Sequence, residues 1–119
     1  MYVLNSVLLN LYRDGRDSVD WHSDDKSALG AHPVIGSVSF GATRCFQFKH
    51  KQYPNLRTSL DLSHGSWLLM QGATQHSWRH RIPKTPRVQA PRMNLTFRVI
   101  RQDQAGERAG VTCQDAVLP

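Results

Sequence analysis

Residues 92–98 read Arg92-Met93-Asn94-Leu95-Thr96-Phe97-Arg98. In an extended segment successive side chains point to opposite sides. Arg92, Asn94, Thr96 and Arg98 therefore share one face, and Met93, Leu95 and Phe97 share the other. Two arginines and an asparagine on one face are costly to bury without anions. Such a face suits a dicarboxylate, because the planar guanidinium fork matches a carboxylate with two hydrogen bonds. It reads equally as a solvent-facing edge strand.

The same short β-type pattern recurs along the chain, broken by turns. Val3 to Tyr12 is apolar and β-rich, and Arg13-Asp14-Gly15-Arg16-Asp17 reads as a turn. Val34 to Phe40, Arg44 to Lys49, Thr58 to Leu62, Ser66 to Met70 and His76 to Arg81 are further candidate strands. Met93 to Ile100 closes the series. Pro83, Pro86 and Pro91 mark a loop that cannot be a central strand. No helix of normal length is expected. About seven strands at this spacing predict a mostly β sandwich, barrel or jelly roll. With 119 residues, 39% of them hydrophobic, the chain has room for one modest core. Residues 1–101 are expected to form that domain. From Gln102 the chain turns polar and loses its periodicity, so 102–119 is expected to be a mobile tail.

No apolar run is long enough to cross a bilayer, and no membrane partner is expected. Met1 to Asn5 lacks the basic region and cleavage site of a signal peptide. Two cysteines, Cys45 and Cys113, do not make a disulfide framework. A reducing cytoplasm or nucleus is the default compartment.

The charge is concentrated. The whole chain carries +6. Residues 31–101 hold eleven cations, from Arg44 to Arg101, against Asp61 alone, a local charge of +10. The segments on either side are each mildly acidic. One strongly cationic stretch fits a polyanion, most simply nucleic acid. An Arg-rich soluble surface would give the same arithmetic.

His22-Ser23-Asp24 places a His and an Asp two apart. On an extended segment both point the same way and could reach one metal ion. A distant second His would complete a face of two His and one carboxylate, which leaves positions open on ferrous iron for substrate and dioxygen. Read alone, the segment is more simply a polar surface stretch. The second His would come from His32, His50, His64, His76 or His80. His76 and His80 share a face of one candidate strand, with Trp78 between them, and spacing leaves both open.

Five pieces now stand in order: Asn10-Leu11-Tyr12; Trp21-His22-Ser23-Asp24-Asp25; Ser37-Val38-Ser39-Phe40-Gly41-Ala42; Trp78-Arg79-His80; and Pro91-Arg92-Met93-Asn94-Leu95-Thr96-Phe97-Arg98. Together they resemble the AlkB family of Fe(II)- and 2-oxoglutarate-dependent nucleic-acid dealkylating dioxygenases, in particular its eukaryotic-type homologues. The likeness covers roughly residues 3–100. It implies a double-stranded β-helix, the jelly-roll core that the strand count allows.

The resemblance also implies roles. His22, Asp24 and His80 would be the metal ligands. Arg92 would pair with the distal carboxylate of 2-oxoglutarate. Arg98 would sit by the metal-proximal carboxylate and help fix the Asp24 region. Asn10, Tyr12 and Asn94 would complete the cosubstrate pocket. Asp25 would contact the damaged base. Charge adds Arg44 and the cations from Arg79 to Arg87 as candidates for the phosphate backbone. The implied reaction uses Fe(II), 2-oxoglutarate and O2 to hydroxylate an N-methyl group of 1-methyladenine or 3-methylcytosine type in DNA or RNA. It releases succinate and formaldehyde. The base must be flipped out or come from a single strand.

Only nine residues precede Asn10, where the family carries a longer region with a nucleotide-recognition lid. The chain is accordingly expected to be a fragment, a truncated product or a minimal variant completed by dimerisation. The basic loop from Lys49 to Arg57 would be a strand-binding element. Two other readings remain: a truncated, non-catalytic, basic nucleic-acid-binding module, and a 2-oxoglutarate oxygenase with another substrate.

Overall fold

The computed structural model describes residues 4–24, 29 and 32–99, and the backbone of 111–115. Among these described residues there are nine strands and one short helix: β1 Ser6–Tyr12, β2 Val19–His22, β3 Ile35–Gly41, β4 Arg44–His50, β5 Arg57–Leu62, β6 Trp67–Met70, α1 Thr74–Ser77, β7 Trp78–Ile82, β8 Arg92–Arg98 and β9 Val111–Asp115. The strands form two sheets. The larger has the order β6-β3-β8-β1-β9 and the smaller β2-β7-β4-β5. All pairings are antiparallel except that of β1 with β9. This is the expected jelly-roll core.

The two sheets close on a shared interior. Tyr12, Ile35 and Met70 from the large sheet meet Phe46, Leu62 and Ile82 from the small one, with Leu29 beside them. Two glycines make the edges fit. Gly41 ends β3 with φ +92°, and a Cβ there would lie 2.4 Å from the carbonyl oxygen of Pro91. Gly15 lies so close to the loop before β8 that a Cβ would meet the Thr85 carbonyl at 1.8 Å. Two backbone hydrogen bonds fix that contact, Gly15 to Val88 at 2.7 Å and Thr85 to Gly15 at 2.8 Å.

Arg44 is the rivet of the same region, which corrects its expected role as a contact to the phosphate backbone. It is 2% exposed. Its guanidinium donates to the carbonyls of Asp14, Asp17 and Pro83 at 2.8–3.1 Å. A cation spent on three buried carbonyls is not free to meet a phosphate. Asp17 is held in turn by Arg13, whose side-chain and backbone N–H groups bring its carboxyl down to about 2.

Two other expectations change. The region from Gln102 contains β9, which runs parallel to β1 from Val7↔Val111 to Leu11↔Asp115. In the sequence these five residues follow a polar stretch, about a hundred positions from their partner strand, so no local period announces the pairing. His76 and His80 do not share a strand. His76 lies in α1, and β7 begins only at Trp78. Among the described residues no helix is long and apolar enough to cross a membrane.

Candidate metal and 2-oxoglutarate site

The large sheet reverses the usual sidedness of a half-buried strand. Its inward rows, read across the register, are Tyr12–Arg92, then Asn10–Asn94–Ser39, then Leu8–Thr96–Ser37–Leu68, then Ser6–Arg98–Ile35–Met70. Arg92, Asn94, Ser37 and Ser39 are buried. The outward rows are Leu11–Met93–Phe40, Leu9–Leu95–Val38–Trp67 and Val7–Phe97–Gly36–Leu69. Thus β8 is not an edge strand with its arginines in solvent. It sits in the middle of the sheet, and its arginine face looks inward.

The polar interior is only partly satisfied from within. Arg92 donates from Nη2 to the Ser39 hydroxyl at 2.8 Å. Its Nε and Nη1 are buried and have no hydrogen-bond partner. Arg98 leaves its buried Nε unpartnered too. An unsatisfied buried guanidinium is costly, so these donors are poised for an anion. Burial pushes the Arg92 guanidinium down from its ordinary value, against the pull of Tyr12. Tyr12 lies under two cations, with the Arg92 and Arg44 guanidiniums 5.0 and 5.5 Å from its ring centre. Burial nevertheless raises its phenol above the ordinary value. Asn94 is fixed by Ser37, by the Val38 carbonyl at 3.2 Å and by the Thr96 hydroxyl at 2.6 Å. The Asn10 amide faces it at 3.5 Å.

His22, Asp24 and His80 converge beside this wall. His22 stands opposite His80 in the β2–β7 register. One ligand atom from each of the three residues lies within 4.8 Å of the others. His80 Nε2 is 3.5 Å from Asp24 Oδ2, and Arg98 Nη2 is 4.0 Å from Asp24 Oδ1. The His22 ring turns Nδ1 to the Asp20 carbonyl at 2.8 Å, which leaves Nε2 free for a metal. Phe46 stacks on His80 at 5.1 Å. Burial lowers the His22 pKa, and the neighbouring His80 adds to it. A neutral imidazole is the form a metal needs. Burial pushes the Asp24 carboxyl up, but the His80 ring and the Arg98 guanidinium outweigh it and hold the group below its ordinary value. Two imidazoles and one carboxylate are the donor set of an open, ferrous-type site, so these residues fit such a metal.

Gln75 escapes a reading of the sequence. It sits in α1 and is 1% exposed. Its Oε1 accepts the backbone N–H of Asp24 at 2.9 Å, and its Nε2 reaches the Met70 sulfur at 3.4 Å. Ser23 donates to the Trp78 carbonyl at 2.7 Å. Together they tie the segment that carries Asp24 to the start of β7. A glutamine in a polar stretch gives no signal of this. Ser37 and Ser39 do leave one, since they alternate through an otherwise apolar strand. Asp25 lies outside the described residues.

The model of the 2OG-Fe(II) oxygenase superfamily matches residues 1–98. The chain belongs to that superfamily. Within it the likeness is to AlkB homologues. The chain is 49% identical over 113 residues to the alpha-ketoglutarate-dependent dioxygenase alkB homolog 3 of Mus musculus, covering 88% of this chain and 40% of that protein. The Homo sapiens protein of the same name is 48% identical over 113 residues, with the same coverage. The DNA oxidative demethylase ALKBH2 of Homo sapiens is 46% identical over 103 residues, 81% of this chain and 40% of the relative. The chain thus spans about 40% of the length of these relatives. The cofactors that the superfamily implies are Fe(II), 2-oxoglutarate and O2.

Proposed function

We propose that the chain is the core of an Fe(II)- and 2-oxoglutarate-dependent dioxygenase that oxidatively demethylates N-alkylated bases in DNA or RNA. The observation that carries this reading is the pairing of two features on one interior. A cluster of two His and one Asp able to hold a metal shares the interior with a buried arginine that has two unpartnered nitrogens. Folding alone calls for neither. The names of the relatives, a dioxygenase and a DNA oxidative demethylase, supply the substrate class.

In this reading His22, Asp24 and His80 hold the iron. Arg92 would receive the distal carboxylate of 2-oxoglutarate, because its buried guanidinium keeps donors that the protein does not satisfy. Arg98 balances the charge of Asp24 and of the proximal carboxylate. Asn10, Tyr12 and Asn94 shape the wall between them. When bound, iron and cosubstrate supply the oxidising chemistry that the protein's own side chains lack. The chain's part is geometric: it keeps Asp24 ionised, favours the neutral imidazole of His22 and fixes the two anion clamps. The substrate base reaches this interior flipped out of a duplex or from a single strand.

Anaerobic addition of Fe(II) and 2-oxoglutarate tests the cofactor site through a visible metal-to-ligand charge-transfer band. Air and an oligonucleotide bearing 1-methyladenine or 3-methylcytosine then test the reaction. A band followed by formaldehyde release is expected. A band without demethylation would overturn the substrate assignment, and absence of the band would overturn the enzyme reading.

A further inference from the structure

The outward face of the small sheet carries a row of like charges. Register places Arg79 opposite Lys49 on one side, and Arg57 opposite Lys49 on the other. Three cations thus stand side by side on three adjacent strands, a row about 10 Å long at the usual strand spacing. Like charges directly opposite one another destabilise a sheet. Among the described residues, no carboxylate lies within ion-pair distance of any of the three.

The next row reinforces the first. Arg81 faces Gln47, to which its Nε donates at 2.7 Å. Trp21 lies on the same face, with Lys49 Nζ 4.3 Å and Arg81 Cζ 4.4 Å from its ring centre. The indole and the glutamine orient cations that would otherwise swing free. A cavity of about 210 Å³ opens here, lined among others by Trp21, Gln47, Arg57 and Arg81. Trp21 is therefore sandwiched into the cationic face by Lys49 and Arg81.

We propose that this outer face of the small sheet is a phosphodiester-binding track, which holds the backbone of a nucleic-acid strand outside the metal-bearing interior. It rests on the reading of nucleic acid as the partner. Bound phosphates replace the missing carboxylates, and the repulsion within the row turns into shared attraction. His80 points inward from the same strand whose Arg79 and Arg81 point outward. One strand thereby links the track to the candidate metal cluster.

The probe is an unmodified single-stranded oligodeoxynucleotide of about 12 nucleotides, within the span of ordinary single-strand sites. It carries no lesion, so binding does not depend on the interior. Anisotropy titrations across a salt series give the slope of log K against log salt. Each phosphate contact on a single strand contributes about 0.7 to that slope. Lys49→Gln/Arg57→Gln/Arg79→Gln is expected to lower its magnitude by about 2 and to raise Tm, because the like-charge row is gone. The exposed pair Arg57→Gln/Arg79→Gln is expected to lower it by about 1. The iron–2-oxoglutarate band should survive in both variants. An unchanged slope in either variant overturns the track. So does equal affinity of the parent chain for polyglutamate, which would make the face a general polyanion surface. A lowered slope in a chain that never forms the band would sink the catalytic reading and leave the track standing.

Discussion

On the large sheet the polar side chains point inward: Arg92, Asn94, Ser37 and Ser39 are buried, while Phe40, Trp67, Leu69 and Met93 stand 39–53% exposed. On the small sheet Phe46, Leu62 and Ile82 point inward, and Arg79 and Arg57 stand outside. The small sheet obeys the ordinary rule of an apolar inside and a polar outside. The large sheet inverts it. Burying a guanidinium with two unpartnered nitrogens lowers stability unless something else binds there. The inversion therefore marks where a ligand is accommodated, whereas the small sheet contributes two candidate metal ligands, His22 and His80, and the riveted Arg44 as exceptions on an otherwise apolar wall.

The largest test of this division removes the carboxylate where the two sheets meet. Asp24→Ala is expected to abolish the charge-transfer band and turnover, and to leave the salt-dependent binding of an oligonucleotide intact. Unchanged turnover would sink the metal assignment. Arg92→Leu comes next and cuts both ways. The affinity for 2-oxoglutarate should fall by about 10–100-fold, from the loss of charge-assisted hydrogen bonds of about 1.5–3 kcal/mol. At the same time the Tm of the cofactor-free chain should rise, because an unsatisfied buried cation has gone. A lowered Tm together with unchanged 2-oxoglutarate affinity would mean that Arg92 is a structural residue like Arg44.

A smaller effect is expected at Gln75, which touches the backbone of a candidate ligand and not a metal. Residues of this kind typically contribute about 10–100-fold to metal affinity. Gln75→Leu should fall near the low end for iron, while 2-oxoglutarate affinity at saturating iron stays unchanged. Gln75→Glu keeps an acceptor for the Asp24 N–H and should recover part of the loss. Equal iron affinity in the parent chain and Gln75→Leu would show that Ser23 and the β2–β7 pairing suffice to place Asp24.

Much of this was legible in the residues. The alternation of Arg92 to Arg98 predicts its strand and its two faces, and two arginines with an asparagine point to an anion. Which face turns inward is not legible, because an inverted strand and an edge strand have the same period. The pair His22 and Asp24 is visible as spacing, but β2 is only four residues long and needs β7 to hold it in place. The parity linking His76 to His80 fails because α1 resets the phase just before Trp78. Arg44 shows the limit of charge arithmetic: a cation counts the same whether it faces a phosphate or three buried carbonyls.

The smallest effect is expected where the inversion leaves apolar residues in water. Leu69 is 47% exposed and lies at the outer end of the row Val7–Phe97–Gly36–Leu69. Its side chain points away from the interior, so Leu69→Lys should change stability by no more than about 0.5 kcal/mol, as for ordinary surface positions. The charge-transfer band should be unchanged. Trp67 differs, because a Cβ built on Gly36 would lie 2.2 Å from its ring and Phe97 lies 6.4 Å away, centre to centre. Trp67→Gln removes that cover and should cost more than Leu69→Lys. If either substitution abolished the band, the outer face would be supporting the arginine wall through the sheet, and the division between an inert outside and a functional inside would fail. If both leave it intact, the large sheet acts as a partition whose two faces can be changed independently.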